Sequence, residues 1–213
     1  MEALEKQYVY DVYQEIAPHF SITRGYLWNK VKEFTQSIPD ISIVADIGCG
    51  NGKNSVVSNY FSFAIDLCPS FLKICKERGL ETNCCNIVNL PYRTNMFDYC
   101  LCVAVIHHLS TEDRRVQAIK ELMRITKPGG KIFIQVWALE QPDKSKKKFT
   151  EQDNLIQWYL QKRFTKEKQK DVILKRYYHV FKKGELEVIC SKAGAYVEDS
   201  FYECGNWGVI IEV

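Results

Sequence analysis

ISIVADIGCGNG, residues 41–52, is an apolar run that stops in three glycines at every second position. The run reads as a buried strand and the glycines as a tight turn. Glycine tolerates positive φ and lets a ligand lie close to the backbone. The spacing is GxGxG, not the GxGxxG of dinucleotide-binding turns. Asp46 precedes the turn, where its carboxylate would repel a phosphate and attract a cationic group. Asp66 closes a second apolar run, FSFAID (61–66), and is placed to hydrogen-bond two ribose hydroxyls. Together these features predict a nucleoside site built from Asp46, Gly48, Cys49, Gly50, Asn51, Gly52 and Asp66.

Outward from this unit, residues 4–36 read as two helices separated at Pro18, because proline is poorly tolerated inside a helix. The stretch from Gly52 to Tyr60 is expected to begin a helix. Pro69 opens another, running to about Arg78 and stopped by Gly79. A short strand near Glu81 to Cys85 precedes a buried one, FDYCLCVAVI (97–106). Thr111 caps a helix to Arg124, with Val116, Ile119, Leu122 and Met123 at helical spacing and Pro128-Gly129-Gly130 ending the unit. KIFIQVWAL (131–139) is a fifth strand. This alternation specifies an α/β fold: a parallel, doubly wound sheet with right-handed crossovers. The tail differs, with a helix over Gly184 to Lys192 and then AYVEDSFYE and NWGVIIEV as a hairpin around Gly205.

The 213 residues fit a single domain (1–213), with an N-terminal helical cover at 1–38 and an insertion at 142–175. With 46% hydrophobic and 26% charged residues the composition is that of a folded chain. No apolar run approaches the ~20 residues of a membrane span. The amphipathic, mixed-charge N-terminus does not read as a secretory signal, so a cytoplasmic or nuclear location is expected. Nine cysteines show no paired CxxC motifs and no zinc-ligand spacing; they read as reduced, mostly buried apolar residues, with no metal expected. The net charge of +3 is unevenly placed. Residues 143–176 hold eleven Lys/Arg and five Asp/Glu, an excess of +6, which leaves −3 elsewhere. A basic segment on an acidic body suits a polyanionic partner, although a solvated lysine-rich insertion would carry the same charge.

The glycine turn, Asp66 and the terminal hairpin resemble the class I S-adenosylmethionine-dependent methyltransferases. The resemblance implies a Rossmann-like seven-stranded sheet with an antiparallel C-terminal hairpin, and S-adenosyl-L-methionine as cofactor. That family usually places an acid after its third strand to meet the adenine amino group. Here the segment is Cys85-Asn86-Ile87, so Asn86 stands in with a neutral carbonyl acceptor. Ile87, Val103 and Ala104 complete the expected cofactor wall. The fourth strand runs into Val105-Ile106-His107-His108, without the Asn/Asp-Pro-Pro-aromatic motif of nucleic-acid amine methyltransferases.

Several blocks are similar to a narrower family, the eukaryotic tRNA wobble-uridine carboxymethyl methyltransferases. They are YVYDVYQEIAPHFSITR (8–24), DIGCGNGK (46–53), VAVIHHLS (103–110), WALEQ (137–141), RYYHVFKKGEL (176–186) and the terminal GNWGVI. The similarity implies esterification of 5-carboxymethyluridine to 5-methoxycarbonylmethyluridine. It also assigns positioning roles to Arg24, His107, Trp137, Arg176 and Tyr177. Arg24 or Arg176 would steer the carboxylate, His107 would hydrogen-bond the substrate, and Trp137 would wall the uracil. One of His107 and His108 is expected to pack behind the sheet. The expected partners are the tRNA anticodon loop and a small zinc-binding activator subunit docking near Leu80 to Cys85. Lysines 144, 146, 147, 148, 162, 166, 168 and 170 and Arg163, interleaved with Phe149, Trp158, Tyr159 and Phe164, would meet phosphates and unpaired bases. Alternative readings are a small-molecule carboxyl- or O-methyltransferase and a non-catalytic cofactor-binding scaffold.

Overall fold

A computed structural model of the chain describes residues 1–56, 59–165 and 171–213. Seven strands form one sheet: β1 (Ile43–Ile47), β2 (Phe61–Asp66), β3 (Glu81–Cys84), β4 (Phe97–Val103), β5 (Thr126–Trp137), β8 (Tyr196–Glu203) and β9 (Asn206–Glu212). Their spatial order is β3-β2-β1-β4-β5-β9-β8. The first five are parallel, and β9 runs antiparallel between β5 and β8. This is the seven-stranded sheet with an antiparallel C-terminal hairpin that the resemblance implies. The strand order reverses at β1 and β4, which opens a crevice beyond their carboxyl ends.

Period-two alternation sorts the strand side chains between two helical layers. Ala45, Ile47, Cys100, Cys102, Ile132 and Ile134 share one core with α5 (Glu112–Ile125) and α6 (Glu185–Ala193). Val44, Leu101 and Phe133 pack on the other face against Val31 and Phe34 of α3 (Asn29–Ser37). Ala64 meets Leu72 and Cys75 of α4 (Pro69–Glu77). Among the described residues, no helix is long and apolar enough to cross a membrane.

Three local expectations are corrected. Pro18 does not separate two helices: α1 (Ala3–Glu5) continues through a π-helical turn (Lys6–Tyr10) into α2 (Asp11–Ile22), and Pro18 lies inside α2. Proline removes the donor that would have satisfied the Gln14 carbonyl, and the Ser70 hydroxyl of α4 donates to that oxygen instead, at 3.0 Å. After Gly52 the chain makes a turn rather than a helix, in which the Gly52 carbonyl accepts from both Ser55 and Val56; residues 57 and 58 lie outside the described residues. Pro128-Gly129-Gly130 falls within β5, at an irregularity where four residues between Thr126 and Lys131 oppose the single Asp98 between Phe97 and Tyr99.

The 142–175 stretch contributes secondary structure of its own. β6 (Asp153–Leu160) and β7 (Val172–His179) form a separate antiparallel pair. Its inner face carries Trp158, Leu160 and Leu174 onto Val12 and Ile16 of α2. The helical cover is fastened from the other side. Glu5 is buried, and its carboxylate accepts from Ser110 N (2.8 Å) and bidentately from Arg114 Nε (2.8 Å) and Nη2 (2.7 Å). Cover, hairpin and sheet edge thus enclose the space above β1 and β4.

Candidate active site

The crevice is a cavity of about 480 Å³. At one end the backbone after β1 turns sharply, with Gly48 at φ +68° and Gly50 at +54°. A Cβ on Gly48 would collide with the Val105 side chain, whereas one on Gly50 would meet nothing within 4 Å. The first glycine is therefore required for packing, and the second leaves open room beside the cavity wall. Asp66 fixes the turn: one carboxylate oxygen accepts from Gly50 N at 2.9 Å and the other from Cys68 N at 2.8 Å. Burial raises the Asp66 pKa against these hydrogen bonds. Asn51 joins the turn to the cover, donating to the carbonyls of Ser21 (3.3 Å) and Arg24 (3.2 Å). Cys49, Asn86, Ile87, Val103 and Ala104 line the same end, Ala104 in the left-handed region at φ +61°. A carboxylate for ribose hydroxyls, a glycine cradle and the Asn86–Ile87 wall fit an adenosyl cofactor.

Two expected cofactor residues lie elsewhere. Asp46 does not line the cavity; alternation along β1 turns its side chain to the face of Val44. There it is fully buried and accepts from the Ser55 hydroxyl at 2.9 Å. Burial lifts its pKa to about 6 despite hydrogen bonds from Ser55 and Asn54. Its place is that of a brace behind the loop rather than a partner for a cationic ligand. Gly52 is also outside the wall, because it packs where a Cβ would strike Leu80 and Cys75.

The other end is aromatic and cationic. Arg24, His107, His108, Trp137, Lys147, Arg176, Tyr13 and Tyr178 all line it. Both histidines reach the cavity, so the expectation that one packs away behind the sheet is corrected. Their tautomers follow from their partners. His108 Nδ1 lies 2.7 Å from the Tyr177 carbonyl, which can only accept, so Nδ1 carries the proton. Its Nε2 then accepts from Tyr13 Oη at 3.1 Å. Tyr13 in turn accepts from Tyr178 Oη at 3.1 Å, and Tyr178 accepts from Arg176 Nη1 at 2.6 Å. This is a one-way chain of donors from guanidinium to backbone carbonyl. His107 Nδ1 accepts the backbone N–H of Trp137 at 3.1 Å, leaving Nε2 as its protonated nitrogen. Burial lowers the pKa of both rings, His108 to about 3 and His107 well below its ordinary value, so both are neutral.

Three cations converge here. Arg176 is 4% exposed and stacks on Trp158 with its Cζ 4.7 Å from the ring centroid. Arg24 lies over Phe20 at 5.2 Å. Lys147 Nζ stands 3.4 Å from the centroid of Trp137. Lost hydration, then repulsion from Arg24 and Arg176, brings the Lys147 pKa down to about 8, although the residue as a whole keeps an open outer side. No carboxylate of a described residue forms an ion pair with any of the three. The groups bonded to Arg176 are hydroxyls rather than carboxylates, and Arg176 Nε has no hydrogen-bond partner among the described residues. Like charges gathered without counter-charge repel one another and favour an anion between them.

Comparison with known proteins decides the family. Residues 45–134 match the family described as a methyltransferase domain. A Schizosaccharomyces pombe tRNA (carboxymethyluridine(34)-5-O)-methyltransferase is 39% identical, over 98% of this chain and 97% of its own. The chain belongs to this methyltransferase family. The Xenopus tropicalis relative of the same name, alkbh8, is 36% identical over 98% of this chain, which spans only 41% of that longer protein. Among solved structures, a Clostridium acetobutylicum S-adenosylmethionine-dependent methyltransferase matches 95% of this chain and 96% of its own, with a TM-score of 0.67 at 13% identity. A chain from the complex between the Haloferax volcanii Trm112 methyltransferase activator and a methyltransferase matches 96% of this chain and 97% of its own, with a TM-score of 0.65 at 13% identity. At such identities these two speak for the fold alone.

Within this methyltransferase, Tyr177 needs correction. Alternation along β7 turns Leu174, Arg176 and Tyr178 to one face and Tyr177 to the other, where it is buried away from the cavity and its hydroxyl donates to Asp153. Tyr178, one residue on, takes the position by the substrate end and stacks on Trp137 with ring centroids 4.2 Å apart at 6°. Tyr13 carries no signal for this site in the sequence, and Lys147, expected among the phosphate contacts, stands at the substrate end instead. Parity along β7 would have separated the two tyrosines had the strand been recognised. Of the expected RNA-contacting aromatics, Trp158 is buried and Phe164 stacks on His19, which leaves Tyr159 the most exposed of them. Lys166, Lys168 and Lys170 lie outside the described residues.

Proposed function

We propose that this chain methylates the carboxylate of 5-carboxymethyluridine at the tRNA wobble position, giving the 5-methoxycarbonylmethyl ester. The observation that carries the reading is the convergence of Arg24, Lys147 and Arg176, unpaired by any described carboxylate, on the far side of a cavity whose near side suits an adenosyl group. S-adenosyl-L-methionine, held by Asp66, the Gly48–Asn51 turn and the Asn86–Ile87 wall, supplies the methyl group when bound.

The protein's own task is positional. A carboxylate with a reference pKa near ~4 is ionised at neutral pH, so no protein base is required. Neither histidine is suited to be one, since the pKa of each is lowered; His107 offers Nε2–H as a donor instead. Arg176, pinned by Tyr178, holds the anion in a fixed direction, while Arg24 and Lys147 sit on less enclosed parts of the wall. Cover and hairpin wall part of the cavity, and partial desolvation favours a transfer that cancels a positive and a negative charge.

The RNA would lie along the cationic mouth, where exposed Lys144, Lys146 and Lys148 flank Lys147. An activator subunit like that in the Haloferax complex would meet β3. It is the sheet's edge strand, and Glu81, Asn83 and Cys84 are exposed along it. The nine free thiols support a reducing compartment, the cytoplasm. The test is transfer of labelled methyl to tRNA drawn from cells that make, or lack, the carboxymethyl group, with and without the activator. Label confined to the carboxymethylated tRNA supports the reading, and equal labelling of both sinks it. Labelling that needs no activator removes the heterodimer alone.

A further inference from the structure

Both faces of the Trp137 indole are covered. Tyr178 lies parallel to it at 4.2 Å on one side. The Lys147 ammonium, 3.4 Å from the indole centroid, cannot share that side without entering the tyrosine ring, so it occupies the opposite one. Trp137 therefore cannot stack on a pyrimidine while Lys147 stays in place. Lys147 sits on the 142–148 loop, which is exposed at most positions and belongs to no strand of the sheet.

We propose that Lys147 is the residue that selects a carboxylate-bearing base: it caps Trp137 until an anion draws its ammonium away, and the pyrimidine then takes its place on the indole. This rests on the substrate reading above and adds how a carboxylate is told from a neutral group of the same shape. The attraction between an ammonium and an indole face is modest, whereas a charge-assisted hydrogen bond to a carboxylate in a low-dielectric cavity is stronger. The anion enters between Arg24 and Arg176, whose repulsion of Lys147 it relieves. The exposed indole face then gains the stacking that single-stranded bases find on aromatic side chains. A base with a neutral amide in place of the carboxylate supplies no such pull, and meets a covered ring.

The test compares anticodon stem-loops carrying 5-carboxymethyluridine or its 5-carbamoylmethyl isostere. Binding is measured to the full chain with S-adenosylhomocysteine present, for wild type, Lys147→Ala and Lys147→Met. The wild type is expected to prefer the acid. In Lys147→Ala the preference falls by roughly tenfold, partly because the amide binds more tightly to an uncovered indole. In Lys147→Met a neutral cap remains, so the preference falls because the acid weakens while the amide is unchanged. A preference equal to wild type in both variants overturns the role of Lys147 and leaves the substrate reading standing. Absence of any acid preference in the wild type overturns both.

Discussion

His107 accepts the backbone N–H of Trp137 at Nδ1, 3.1 Å away, and this single contact fixes what the imidazole can do. A ring that accepts at Nδ1 and stays neutral presents Nε2–H to the cavity. It can direct a substrate oxygen, but it cannot take a proton there.

The first prediction is that His107 leaves no mark on the pH dependence of turnover. Its pKa is held well below 6.5 by burial, then by His108, Lys147 and Arg176. Between about pH 6 and 7.5 the rate profiles of wild type and His107→Gln should run parallel. The variant should be slower by roughly ten- to a hundredfold, the worth of one hydrogen bond to a charged group. A limb near pH 6.5 in the wild type that vanishes in the variant would show a base at work.

Arg176 should act on the substrate and not on the cofactor. Its guanidinium is buried, yet its partners are hydroxyls and not carboxylates. Arg176→Gln is expected to raise the KM for carboxymethylated tRNA by a hundredfold or so, within the range of roughly 2–5 kcal/mol for a desolvated charge pair. Affinity for S-adenosylhomocysteine, read by calorimetry, should stay within about twofold. Equal losses in both would mean that Arg176 only holds the cavity together.

Much of this arrangement is legible in the sequence, because its signals are local. ISIVADIGCGNG gives strand and turn from composition alone, and the hairpin around Gly205 sets the tail apart from the alternating strands and helices before it. What stayed hidden depends on distant partners. Pro18 stays helical because Ser70, on another helix, donates to the Gln14 carbonyl. Tyr177 and Tyr178 exchange roles once β7 is known as a strand, and its lysine-rich surroundings mask the alternation. Lys147 has no periodic signature, since its place on Trp137 is set by the path of a loop.

Acid stability should carry the signature of His108. Its folded pKa, about 3, is below the unfolded value of about 6.5. The unfolded chain therefore binds more protons in that window, and stability falls as pH drops below about 6.5, by up to ~1.4 kcal/mol per pH unit. Asp46, raised to about 6, works in the opposite sense, but it is common to both proteins when His108→Gln is compared with wild type. Urea denaturation at about pH 7, 6 and 5 should show a shallower decline in the variant. Parallel declines would mean that His108 is not held neutral in the folded chain.

Glu5 should matter to cofactor binding although it belongs to the N-terminal cover. Its carboxylate joins that cover to Ser110 and Arg114 at the rim of the cavity. Glu5→Ala should cost roughly 1.5–3 kcal/mol in stability. Dissociation of S-adenosylhomocysteine should quicken as the cover loosens. Wild-type dissociation in a measurably destabilised variant would separate the cover from the cofactor site.

The central claim, that the three cations read a carboxylate for esterification, is tested most directly by the chemistry of the product. Wobble-position nucleosides are digested from carboxymethylated tRNA after reaction with labelled S-adenosylmethionine, before and after mild alkali. The account predicts one labelled methyl on the 5-carboxymethyl group, released by alkali with return of the free acid. A label that survives alkali, on a base nitrogen, a base carbon or a ribose oxygen, would contradict it.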